Sequence, residues 1–179
     1  MTYYQQLKDE DECKAITAWW RWLNDNRGER AVLRRAAAAD DILLTSAFAR
    51  FLTFMPARWR MARRLFDSAM VAGLLARVKV LETDNKKPFA KALALPKQGG
   101  SKAAMSELRF LQLQKSGDAD EFFLRVSRAI SLLGGRVHIL SLADGILHWL
   151  LEYRRVVDRE PTKRLAVRWA SDYYSSFKD

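Results

Sequence analysis

Arginine is the residue whose placement in this chain could do chemistry. Arg34, Arg35, Arg50, Arg58, Arg63, Arg64, Arg109, Arg125 and Arg128 are spread over several segments, most of them among apolar residues. A guanidinium fork matches the oxygens of a phosphate, and several rigid segments carrying such forks can build a stripe that follows a nucleic-acid backbone. The net charge of +10 favours the same class of partner, nucleic acid or anionic lipid. Lys97 and Lys102 add two cations in the Gly-containing stretch PKQGGSK, which has neither a GxxxxGK[ST] pattern nor a strand before it and so reads as a mobile basic loop.

Catalytic chemistry finds less support. His148 lies four residues from both Asp144 and Glu152, which reads as a surface ion-pair ladder rather than a metal or acid–base site, since no further ligand or nucleophile accompanies it. Cys13 stands on an apolar helical face and reads as packing. As the only cysteine it excludes an internal disulfide, as a reducing cytoplasm would permit. Asp40-Asp41 and Asp118/Asp120/Glu121 fall at expected helix starts, where carboxylates are favourable. A metal-dependent nuclease with ligands from distant segments stays open, but nothing asks for one, and no cofactor or metal is implied.

The elements that would position these cations are helices. In 103–133, Asp118 and Glu121 have the form of a capping box and divide the stretch into two helices at Ser116-Gly117-Asp118. Phe122, Phe123, Val126, Ala129, Ile130 and Leu133 share one side of the second, while Arg125 and Arg128 share another. In the first, Met105, Leu108, Phe110, Leu111 and Leu113 leave narrow polar strips and predict packing on more than one flank, with Arg109 on one strip. Cys13, Ile16, Trp20 and Leu23 set a helix over 7–26, stopped by Gly28, and Trp19, Trp20 and Trp22 read as core or interface packing. Helices follow over 28–39 and 42–55. Another spans 56–81, with Met61, Ala62, Leu65, Phe66 and Ala69 on its core face. Arg58, Arg60, Arg63 and Arg64 crowd its first turns at a cost of a few tenths of a kcal/mol each against the macrodipole.

Residues 82–102, with two prolines, Gly99-Gly100 and five lysines, read as a connector containing one short helix over 88–95 that opens with Pro. A helix over 141–157 has Ser141 and Asp144 as its caps and Leu142, Ile146, Trp149, Leu150, Tyr153 and Val157 as its stripe. The last begins at Glu160-Pro161, with Lys163, Arg164 and Arg168 outward and Leu165, Trp169 and Tyr173 inward. No stretch alternates as a strand would, so the expected class is all-α, roughly eight helices as one bundle or two packed sub-bundles. Expected divisions are 1–81, 82–102 and 103–179. The acidic, polar start lacks the form of a signal peptide, and no apolar run reaches the roughly 20 residues of a membrane span, which makes a cytoplasmic protein the expectation.

Ordered motifs then narrow the reading. Trp19-Trp20 with Trp22, Leu33-Arg34-Arg35, Ala47-Phe48-Ala49-Arg50, the Pro56–Arg58 turn, Lys91-Ala92-Leu93-Ala94, Glu107-Leu108-Arg109-Phe110 and Leu124-Arg125 with Arg128 follow one another. In that order and spacing the chain resembles the small subunit of the type I-E CRISPR Cascade surveillance complex, the CasB family. The resemblance covers residues from about 13 to 157; 161–179 carries no matching motif, and Lys91 stands where the pattern often has arginine.

The resemblance implies a helical, non-catalytic subunit present in two copies beside other Cascade subunits. It would contact guide RNA and target DNA and help hold the displaced strand of the R-loop, where base pairing reads the sequence and backbone contacts suffice. Arg34, Arg35, Arg50, Arg58, Lys91, Arg109, Arg125 and Arg128 match basic positions of the family, and a subset of them, with Lys97 and Lys102, is expected to line a strand-binding groove. The competing role for each is a salt bridge inside the bundle. A freestanding helical DNA-binding or regulatory protein, and a scaffold contacting acidic partner chains, are the alternatives.

Overall fold

The computed structural model describes residues 4–177, so the first residues of the polar start and the last two of the 161–179 segment lie outside the described residues. Among the described residues ten α-helices follow in chain order: α1 Glu10–Asp25, α2 Arg27–Arg35, α3 Ala39–Leu43, α4 Ser46–Phe54, α5 Leu65–Leu75, α6 Phe89–Ala94, α7 Glu107–Gln114, α8 Ala119–Leu132, α9 Ile139–Tyr153 and α10 Leu165–Ser175. The all-α class is borne out, with one addition. Val80–Leu81 (β1) and Arg136–Val137 (β2) pair in parallel, Val80 opposite Arg136. Two residues are too few to leave an alternating pattern.

Several helices start where the sequence offers a partner for free amides. Asp9 Oδ1 accepts from Glu12 N (2.9 Å) at α1, and Thr45 Oγ1 from Phe48 N (3.1 Å) at α4. At α8 the cap expected at Asp118 forms, Asp118 Oδ1 accepting from Glu121 N (2.8 Å), and the return bond is shifted by one residue, Glu121 Oε2 accepting from Gly117 N (2.5 Å) instead of the Asp118 amide.

α5 is the axis of the molecule, buried from Asp67 to Leu75 and surrounded by α3, α8 and α9. One cluster of buried apolar side chains runs from Leu7 to Tyr173. Trp19 meets Phe51 edge-on at 4.7 Å, Phe122 stacks on Trp149 at 4.2 Å and Phe110 on Tyr173 at 4.2 Å. Burial of each such ring stabilises the fold by about 1.5–3 kcal/mol before the cost of ordering it.

Several expectations are corrected. Gly28 lies inside α2, not at a stop, because α1 ends at Asp25, where the Asn26 amide closes on Leu23 O, and the next helix begins at once. The stretch 42–55 breaks at Leu44-Thr45, where the threonine caps a new helix. The arginine-rich start of 56–81 is two 3-10 turns, Ala57–Arg60 and Ala62–Arg64, and only Leu65–Leu75 is α-helical, so Met61 is exposed. His138, not Ser141 or Asp144, caps α9, and that helix ends at Tyr153, leaving Tyr153 and Val157 exposed. Leu108 (65% exposed) and Leu111 face outward, so α7 packs on one flank only. Glu160-Pro161 leads into a 3-10 turn, and α10 itself begins at Leu165.

Candidate nucleic-acid interface

Where α2, the end of α5, α7 and α8 meet, they enclose a groove of about 800 Å³. Arg34 comes from α2, Arg109 from α7, Arg125 and Arg128 from α8, and Arg77 and Lys79 from the chain leaving α5; no aspartate or glutamate lines it. Arg34, Lys79, Arg109 and Arg128 are exposed, and none has an acidic partner among the described residues. Arg125 is half engaged. Its guanidinium pairs with Glu121 and donates to Gln112 O, which straps the α7–α8 turn.

Arg77 is the keystone of this wall. Its fork donates to Gly73 O (2.6 Å) and Ala36 O (2.6 Å), with Leu33 O at 3.4 Å, so one side chain closes the carbonyl ends of both α2 and α5. Helix C-termini carry partial negative charge, which a cation complements. The guanidinium also lies 4.7 Å above the Phe123 ring. Burial, reinforced by the neighbouring charge of Arg34, pushes its pKa down to about 10, so it remains a cation at neutral pH. Arg30 does similar work, donating to Ala76 O and Val78 O.

Lys79 is placed by backbone. Its amide donates to Gly135 O (2.8 Å) just before β1 pairs with β2, and its stem lies across Gly135. A Cβ at Gly135 would come within 2.9 Å of Lys79 Cγ, and the residue has φ of +80°. Glycine there both makes the turn and admits the lysine. The sequence reading does not single out Arg77 or Lys79. The legible signal is a pair of cations closing an apolar helix, obscured where the helix is read through to 81.

The remaining expected residues lie elsewhere. Arg35 is exposed on α2 outside the groove lining, and Arg50 is exposed on α4 with its guanidinium 5.8 Å from the Trp22 ring. Lys91 is half-buried on α6, where its charge and that of Arg168 partly offset the burial that raises the Asp172 carboxyl. Lys97 and Lys102 are exposed on a turn closed by the Pro96–Ala103 bridge. Arg58 takes the competing role, a salt bridge inside the bundle. It pairs with buried Glu12 and donates to Gln6 O (2.9 Å), and Trp59 Nε1 donates to the same carboxylate (3.1 Å). Burial raises the Glu12 carboxyl, but these bonds outweigh it and leave it below its ordinary value.

His148 is a correction too. It is 3% exposed, so the expected surface ladder is a buried network. Asp144 accepts from Gln6 N (2.6 Å), Leu7 N (3.0 Å) and Arg168 (3.2 Å), which turns Arg168 inward. Arg168 donates to His148 Nδ1 (2.8 Å), so the neutral ring carries its proton on Nε2 and donates it to Glu152 (3.0 Å). Burial holds the His148 pKa below its ordinary value despite Glu152 and Asp144. These bonds tie the N-terminal segment, α9 and α10 together. Among the described residues no group of His, Cys, Asp and Glu is arranged to hold a metal ion, and no helix is long and apolar enough to cross a membrane.

Comparison with known proteins converges on one family. Residues 29–174, which include every groove residue, match the family model for the CRISPR-associated protein Cse2. The CRISPR-associated protein Cse2 of Thermus thermophilus is 25% identical over 169 residues, covering 87% of each chain. No solved structure gave a significant match. With its family model matched over most of its length, the chain belongs to the Cse2 (CasB) family, the small subunits of the type I-E CRISPR Cascade complex.

Proposed function

We propose that this Cascade subunit acts without catalysis, holding a nucleic-acid backbone in the groove between α2, α7 and α8 and so stabilising the displaced strand of the R-loop. The observation that carries this reading is a concave surface lined by six cations and no carboxylate. Uncompensated guanidiniums on rigid helices bind phosphate with little ordering cost, and contacts to phosphate carry no sequence information. Because R-loop formation is close to energetic balance, a few phosphate contacts decide whether it persists. Arg34, Lys79, Arg109 and Arg128 make the contacts, and Arg125 contributes in part. Arg77 holds the wall. Arg35, Lys97 and Lys102 can extend the path beyond the groove, whereas Arg58 is committed to Glu12.

The test is R-loop retention by the assembled complex carrying Arg34→Glu with Arg109→Glu. Both side chains are exposed, so the variant should melt within a few degrees of the parent. Retention is expected to fall by at least about tenfold, corresponding to two lost charge-assisted contacts. Undiminished retention by the folded variant overturns the assignment.

A further inference from the structure

The two ends of α5 present different surfaces. The chain leaving its last turn enters the basic groove. At its first turn a second set of arginines gathers around buried Asp67. Arg64 lies 3.5 Å from Asp67 Oδ2, and Arg154, at the end of α9, forks onto both carboxylate oxygens, Nη1 donating to Oδ2 (2.9 Å). Arg60, Arg63 and Arg155 flank these two in the chain, are exposed, and have no acidic partner among the described residues. α5 has 11 residues, about 16 Å of helix axis, so this face and the groove are separate surfaces.

Arg155 is an independent sign. α9 closes as a Schellman motif, Val156 N donating to Leu151 O (3.2 Å) and Arg155 N to Glu152 O (2.8 Å), with Arg155 in left-handed backbone at φ +67°. Glycine is the usual residue at that place, because a Cβ opposes the conformation. Among the described residues Arg155 is the one non-glycine residue with positive φ, and its guanidinium pairs with nothing in the fold. Strained backbone that carries an unengaged side chain marks a residue kept for contact outside the chain.

The chemistry of this face suits protein better than nucleic acid. Met61 (45% exposed) and Val156 (57%) stand among the arginines. The cavity behind them, at Trp59, Asp67 and Leu147, holds about 10 Å³, so the face is closed and no strand sinks into it. Arginine and methionine are enriched in protein interfaces, and uncompensated cations select a partner of opposite sign. A second copy carries the same net charge of +10 and is repelled overall. As a Cascade subunit the chain has other protein neighbours.

We infer that this face docks an acidic surface of a neighbouring protein subunit. Partner carboxylates sit over Arg60, Arg63 and Arg155, and partner apolar side chains lie against Met61 and Val156. Docking here leaves the groove open and does not depend on what the groove binds.

The experiment titrates the purified subunit into guide-loaded complex assembled without it and reads incorporation. Arg63→Glu/Arg155→Glu reverses two exposed, unpartnered charges. It is expected to melt within a few degrees of the parent and to incorporate at least about tenfold more weakly. Arg155→Gly separates docking from folding: its melting temperature is expected to rise by a few degrees as the backbone relaxes, while incorporation still weakens. In Arg155→Lys a carbodiimide is expected to join the new amine to an aspartate or glutamate of another subunit. Parent-like incorporation of Arg63→Glu/Arg155→Glu and of Arg155→Gly overturns the proposal. A crosslink to a second copy of this chain overturns it as well. So does a loss of oligothymidylate binding by the Arg63→Glu/Arg155→Glu subunit as large as its loss of incorporation, which would make the face a nucleic-acid contact.

Discussion

At the scale of single residues, cations of the same type divide by what surrounds them. Arg58 and Arg34 are both arginines among apolar neighbours in sequence. The first meets a buried carboxylate from a segment 46 residues away, and the second meets none. The histidines are divided from solvent in the same way. Burial lowers the His138 and His148 pKa values below their ordinary 6.5, against the carboxylates Glu82 and Asp84 near the first and Glu152 and Asp144 near the second. The unfolded chain therefore binds protons that the folded state refuses. The stability these groups contribute is full above about pH 6.5 and falls as pH drops below it. Urea unfolding across that range should show the decline, and His138→Gln with His148→Gln should flatten it. A slope unchanged in the double variant would assign the decline to other groups.

At the scale of elements, glycines report which helices touch. Gly73 lies in α5 where α3 and α8 cross it. A Cβ there would collide with Ile42 Cδ1 and come within 3.1 Å of Phe123 Cε2. Gly73→Ala should cost about 1–3 kcal/mol by overpacking. Gly28, exposed in the first turn of α2, has nothing within 4 Å of the same added atom. Gly28→Ala should stabilise by about 0.5 kcal/mol, because the unfolded chain loses more freedom than the folded one. Thermal melts of the two variants should move in opposite directions, and a shift in the same direction would contradict this helix arrangement. The pairing of β1 with β2 belongs to this scale as well, since it ties the exits of α5 and α8 together and sets Lys79 beside Gly135.

At the scale of the whole molecule, the net charge of +10 is general, but its usable part is local. Four groove cations, Arg34, Lys79, Arg109 and Arg128, have no acidic partner among the described residues. If each engages one phosphate, the logarithm of single-strand affinity should fall with the logarithm of salt at a slope of about −3. A titration between low and physiological salt reads this directly. A slope near zero would mean that the groove does not hold phosphates, and a much steeper one that the rest of the basic surface takes part.

The sequence alone makes legible the helical class, the two-helix unit at 103–133 with its cap at Asp118, the inward faces of α1, α8 and α10, and the family. All of these rest on local periodicity, capping chemistry or motif order, which neighbouring residues carry along the chain. It also supplied four of the six groove cations, Arg34, Arg109, Arg125 and Arg128. Tertiary structure alone decided which arginines are neutralised, because the Glu12–Arg58 and Asp67–Arg154 partners lie 46 and 87 residues apart. It decided that His148 is buried, that Leu108 is not, and that Arg77 and Lys79 join the groove. Each of these depends on how distant helices lie against one another, and such long-range packing has no period for a sequence to display.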